Sequence, residues 1–298
     1  MPKTPRMFAI LAALLAANAS AIAAAPAPRA LRDLAYVSHG HERQKLDLYL
    51  PHTGGAAPVI VYIHGGGWRQ GSKDSRLVPA QYTQHGYAVA SLDYRLSGDA
   101  TFPAQIEDCK AAVRWLRAHA DEYKLDTDHF AAWGESAGGH LAALLGTTGQ
   151  IDTFDKGENL RVSSQVQAVV DYYGPTDFLQ MDAHALPGSA SHDDPHSAES
   201  QLVGGPIQQR KAEVEKANPI TYVSRATPPF LIAHGDSDRT VPIHQSQILL
   251  AALEAAGVSV DLIVLKGAGH SFQGASRKQR ADLDHKTKAF LAQWMHRR

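Results

Sequence analysis

The chain has 298 residues, 44% hydrophobic and 20% charged, with a formal net charge of −1 at pH 7. That balance fits a soluble globular protein with a large core. With 29 Lys and Arg scattered among 30 Asp and Glu, it excludes the basic stripe of a nucleic-acid binder and any like-charge tail.

At the N-terminus, Lys3 and Arg6 precede the apolar run "MFAILAALLAANASAIAAA", and Pro26 and Pro28 follow. This reads as a secretory signal peptide over residues 1–25 with cleavage near Ala21 or Ala25. A retained anchor is the alternative, although the apolar stretch is short and alanine-rich for a membrane span. The expected mature protein, residues 26–298, is one catalytic domain, secreted or periplasmic, with no stable membrane insertion.

Strand-length apolar runs then alternate with helix-length amphipathic segments, which predicts an α/β fold with a mostly parallel sheet and helices on both faces. Strands are expected at 45–50, 58–63, 87–94, 129–133, 166–173, 229–234 and 260–265, and an antiparallel edge starting near Tyr36. Helices are expected near 75–85, 103–119, 138–147, 243–256 and 279–296. The only cysteine, Cys109, falls on the apolar stripe Phe102, Ile106, Cys109, Val113 and Leu116. It is therefore read as a buried structural thiol, and a single cysteine allows neither an intrachain disulfide nor a cysteine-rich zinc site.

After the second strand comes "HGGGW", where His64 is followed by Gly65, Gly66 and Gly67. Three glycines let backbone N–H groups converge on one point, as a tetrahedral oxyanion requires; losing one such donor costs about 3–4 kcal/mol. The expected donors are Gly66, Gly67 and Ala137, with Gly65 as the alternate. His64 is expected to brace the loop. Trp68 is either a wall of the substrate pocket or ordinary core packing.

The stretch "WGESAGGHL" places Ser136 between a strand and a helix, flanked by glycines at 134, 138 and 139. Such a turn projects a strained serine beyond the sheet edge, and the helix behind it offers N–H groups to negative charge. A nucleophilic serine needs a histidine base oriented by a carboxylate. His270 in "GAGHSF" and Asp238 in "HGDSDRTVP" both follow strands and give the chain order serine, acid, histidine. Asp236 is the rival acid, because "HGDSD" is also turn chemistry; His234 is read as structural. Residues 178–218 form a long irregular stretch that suggests a small cap insertion over a pocket. Its "HDDPH" at 192–196 reads as a solvated loop rather than a metal site.

With "HGGGW", "GESAGG", "HGDSDRTVP" and "GAGHSF" in this order, the chain resembles the α/β-hydrolase superfamily. More narrowly it is similar to bacterial serine esterases related to bifunctional acetylxylan and feruloyl esterases, the BD-FAE type. The resemblance implies attack by Ser136 on an ester carbonyl, proton transfer through His270 held by Asp238, and an acyl-enzyme hydrolysed by water. It implies no metal or organic cofactor. The implied partner is a small-molecule or polysaccharide-linked acetyl or feruloyl ester. A peptidase or amidase with the same triad, and a binding protein on a hydrolase scaffold, are the competing readings; the oligomeric state is not legible.

Overall fold

The computed structural model describes Met1 and residues 29–52, 54–75 and 79–295; the expected signal segment, apart from Met1, lies outside the described residues. The strands are β1 (Arg29–Ala35), β2 (Lys45–Leu50), β3 (Ala57–Ile63), β4 (Ala88–Leu92), β5 (Leu125–Glu135), β6 (Ala168–Tyr172), β7 (Phe230–Gly235) and β8 (Val260–Leu265). They form one eight-stranded open sheet in the order 1-2-4-3-5-6-7-8. β2 runs antiparallel to both β1 and β4, and every other pairing is parallel. This is the α/β-hydrolase architecture.

Alternation along β3 shows how the sheet is covered. Val59, Val61 and Ile63 enter one apolar cluster and Ile60 and Tyr62 the other, as period-2 side-chain direction requires. The first cluster is closed by α1 (Ala104–Ala118), α2 (Ala120–Tyr123), α3 (Ala137–Thr147) and, further along the chain, α6 (His244–Ala255). The opposite face is closed chiefly by α7 (Arg277–Met295), through Leu283, Phe290, Leu291 and Met295. Cys109 is buried in the first cluster, and burial pushes its thiol pKa well up.

The strand order sets where a site can form. From β3 the chain crosses to β4 on one side and then returns to β5 on the other. The loops leaving the carboxyl ends of β3 and β5 thus diverge around a crevice, the switch point at which open α/β sheets bind ligands.

Several boundaries differ from the sequence expectation. The antiparallel edge lies at 29–35, just before Tyr36, because a solvent-facing edge strand shows little apolar content. β5 begins at Leu125, four residues early, after a register shift in its pairing with β3 between Ala57 and Val59. The helix expected at 75–85 is only a 3-10 turn at Ala80–His85, with Pro79 before it and Gly86 in the left-handed region after it. The 178–218 stretch is a chain of short turns containing α4 (Ala198–Val203) and α5 (Lys211–Ala217). Ser197 accepts the Ser200 N–H at the start of α4, and Gly204 ends it.

Native protein treated with a thiol reagent such as dithionitrobenzoate is expected to release almost no chromophore, and close to one equivalent after guanidinium unfolding. Rapid labelling under native conditions would contradict the packing of Cys109.

Candidate active site

The turn between β5 and α3 leaves no space for side chains on its glycines. A Cβ on Gly134 would stand 1.9 Å from the Gly138 carbonyl oxygen, and one on Gly138 would stand 2.0 Å from that of Ile63. Between them Ser136 adopts φ 55° and ψ −122°, a sparsely populated conformation costing roughly 1–3 kcal/mol. Its N–H donates to the Tyr172 carbonyl (2.9 Å), and its own carbonyl accepts the first bond of α3 from His140 N–H (3.0 Å). The hydroxyl is thereby aimed past the sheet edge.

His270, on the loop after β8, places Nε2 3.1 Å from Ser136 Oγ and Nδ1 2.7 Å from Asp238 Oδ2. The loop after β7 thus brings Asp238 to the histidine, and the serine, imidazole and carboxylate form one hydrogen-bonded chain. Asp236 is turned away: it is exposed, and its Oδ1 accepts the Gly267 N–H at 2.6 Å. Asp238 is buried, and its Oδ1 accepts the N–H groups of Thr240 (2.7 Å) and Val241 (2.9 Å). Burial alone would raise this carboxyl's pKa. The contacts from His234 and His270, the nearby positive charge and the Val241 amide outweigh it and hold the group well below the usual carboxylate range.

His234 is fully buried, with Nδ1 2.6 Å from Ser246 Oγ and Nε2 2.9 Å from the Val241 carbonyl and 3.4 Å from Asp238 Oδ2. It packs under the acid loop and steadies it.

On the other side of Ser136, Gly66 and Gly67 take φ values of 112° and 60°. Among the described residues, the N–H groups of Gly66, Gly67 and Ala137 donate no hydrogen bond. Ala137 is the first residue of α3, where an amide has no partner within the helix. Gly65 lies beside them, against the Glu135 carbonyl.

The glycine loop is held in part by a residue that no sequence pattern singles out. Arg43, between β1 and β2, donates to the carbonyls of Tyr94 (2.9 Å) and Gly71 (2.8 Å) and pairs with Asp93 (3.1 Å). His64 stacks on Tyr94 at 4.4 Å and bonds the Gly65 carbonyl at 2.7 Å, so it braces the loop. Trp68 borders the cavity but is only 1% exposed. Its indole N–H donates to His140 Nδ1 (3.2 Å), and His140 Nε2–H donates to the Ala217 carbonyl (2.7 Å). Trp68 thus lies both on the cavity and in the apolar core. Burial lowers the His140 pKa to about 4 against the pull of the Ala217 carbonyl, so the relay stays neutral.

Glu135, next to Ser136, is buried against two phenols: Tyr173 donates to Oε2 (2.7 Å) and Tyr62 to Oε1 (3.4 Å). Tyr173 also meets the His270 ring edge-on at 4.8 Å. Burial raises the Glu135 pKa to about 7, with the two tyrosines and the His270 charge opposing.

A cavity of about 1070 Å³ opens above Ser136 and His270. Residues 190–192, 194 and 196–199 of the 178–218 segment form much of its wall. The "HDDPH" stretch is not uniformly solvated as expected, since His192 is buried while His196 is exposed. Among the described residues, no group of three His, Cys, Asp or Glu is arranged to hold a metal ion.

The family model described as BD-FAE matches residues 46–253. The chain belongs to the BD-FAE family. Among its relatives is Esterase LipC of Mycobacterium tuberculosis, 32% identical over 81% of this chain and 59% of LipC. Two solved structures are similar at a TM-score of 0.76. One is a truncated carbohydrate esterase from gut microbiota, 32% identical, with 87% of this chain and 95% of that one covered. The other is a bifunctional GH43-CE of Bacteroides eggerthii, 33% identical, with 87% and 38% covered. This BD-FAE chain spans only 49–59% of the length of the first curated relatives it matches.

Because burial raises the Glu135 pKa to about 7 in the folded chain, the unfolded chain releases more protons between about pH 4.5 and 7. Stability should fall through that window and level off above it. In urea titrations at stepped pH, Glu135→Gln is expected to show a shallower fall than wild type. Parallel stability curves for the two proteins would show that this carboxyl titrates normally.

Proposed function

We propose that this protein is a serine carboxylic ester hydrolase working through an acyl-enzyme. The observation that carries the reading is the bonded chain Ser136, His270, Asp238 facing a large cavity beside three free amides. Asp238, held ionised, accepts the Nδ1–H of His270, which leaves the Nε2 lone pair toward the Ser136 hydroxyl. As Ser136 Oγ bonds to the ester carbonyl carbon, its proton passes to Nε2. The carbonyl oxygen becomes an oxyanion facing the N–H groups of Gly66, Gly67 and Ala137, with Gly65 the alternate donor. Collapse breaks the ester C–O bond, and the imidazolium protonates the departing alkoxide. Water, deprotonated by the same nitrogen, then attacks the acyl carbon and releases the acid while the proton returns to Oγ. Proton transfer of this kind contributes about 10²–10⁴ in rate and each oxyanion donor about 10²–10³.

The substrates proposed are short-chain acyl esters and carbohydrate-linked acetyl or feruloyl esters. The likeness to a carbohydrate esterase along 95% of its chain supports this range, as does the number of polar and charged side chains around the cavity. Export is proposed from the basic and apolar pattern of residues 3–25, with residues 26–298 as the catalytic domain and 178–218 as its cap insertion.

Ser136→Ala should lower kcat on aryl acetates by at least about 10⁴-fold with an unchanged thermal midpoint, and Asp238→Asn by about 10⁴-fold with a lowered one, since the lowered pKa of Asp238 marks a charge that stabilises the fold. A panel of aryl acetate, butyrate, feruloyl esters and acetylated xylan, alongside a matched amide, measures this. Equal rates for wild type and Ser136→Ala, or amide turnover matching the ester, would sink the assignment. For export, intact mass of protein recovered from the periplasm of a Gram-negative host should place the new N-terminus near residue 22 or 26; an uncleaved product argues for a retained anchor.

A further inference from the structure

The cap segment returns two buried ionisable side chains to the space above Ser136. α4 begins against the glycine loop: a Cβ on Gly67 would stand 3.2 Å from Ala198 Cβ. The next residue, Glu199, and His192 both border the cavity, with side chains only 7% and 11% exposed. His192 Nδ1 lies 3.1 Å from Glu199 Oε1, and Thr240, two residues past Asp238, lines the same cavity. The pair therefore stands in the cavity wall together with the glycine loop and the acid loop. Asp182 fixes its backbone by accepting the N–H groups of His192 (2.6 Å) and Asp193 (3.1 Å). Burial opposes a charge on His192, but Glu199, Asp182 and the Thr240 backbone overcome it and raise the pKa.

Glu199 pairs with His192 through Oε1, and its carboxylate borders the cavity. An ionised carboxyl accepts hydrogen bonds and donates none. At the cavity wall its spare lone pairs take O–H donors from water or from a bound substrate, and a purely alkyl group that displaced the water would leave them desolvated and unpaired.

We propose that Glu199, positioned by His192, is the subsite for hydroxyl groups on the alcohol portion of the substrate, and that it selects polyhydroxylated esters over alkyl esters of the same acid. This rests on the esterase reading above and assigns its alcohol side. Sites built to bond a hydroxyl reject analogues lacking it far more strongly than apolar pockets reject a size change.

The full chain is assayed with a monoacetylated methyl xyloside and with butyl acetate, which share the acyl group. Wild type should favour the sugar ester. Glu199→Gln should lower kcat/KM for the sugar ester by about 10- to 100-fold, mainly through KM, and leave butyl acetate within about threefold. Parallel losses on both substrates, or no change on either, overturn the proposal and leave the pair a cap brace. Should Glu199→Gln fail to fold, the wild type decides: unacetylated methyl xyloside should inhibit aryl acetate hydrolysis at concentrations where butanol does not, and equal inhibition overturns the subsite. Wild type inactive on every ester would instead overturn the esterase reading itself.

Discussion

The site depends on how closely three backbone segments approach at the end of β5. The Gly138 carbonyl occupies the place where a side chain on Gly134 would go, and the Ile63 carbonyl the place where one on Gly138 would go. That crowding turns the chain abruptly from strand to helix and holds Ser136 in a conformation that L-residues avoid. The strain persists because the helix behind the serine is well packed. Leu141, Leu144 and Leu145 of α3 are fully buried, and at roughly 1.5–3 kcal/mol each they outweigh a conformational cost of roughly 1–3 kcal/mol.

Legibility in the sequence tracks the range over which each feature is determined. Inner strands such as β3 and β7 are continuous apolar runs because both faces are covered. The elbow and the glycine loop are readable for a similar reason: their geometry is imposed by residues a few positions apart. β1 lies ahead of its expected place because its residues are mostly exposed, and the start of β5 is hidden by Asp126, Thr127 and Asp128, which carry no apolar signal. α4 and α5, at six and seven residues, are shorter than the window in which helical periodicity shows. Choosing between Asp236 and Asp238 requires the fold, since the two lie two positions apart in one turn and differ only in which way the chain points them.

What escapes the sequence entirely is long-range support. Arg43 reaches the glycine loop from before β2, and His140 ties Trp68 to the end of α5. No local pattern marks either residue, because the partners are brought together only by the crossovers of the sheet. His140 also shows why a buried imidazole need not be a base: both ring nitrogens are occupied, and burial keeps it uncharged. The same environment acts oppositely on Asp238, where two imidazoles and two amides surround a carboxylate and preserve its ionisation.

Among the described residues β8 pairs with β7 alone, and several of its residues are partly or largely exposed, Val264 at 42%. His270 hangs from the loop that leaves this outermost strand, whereas Ser136 is anchored at the centre of the sheet. Of the strands that carry the three residues, this border strand is the one expected to open first. Detachment of this one strand would part the imidazole from the serine while most of the sheet keeps its hydrogen bonds, so the meeting of the three residues is less robust than the fold that carries them.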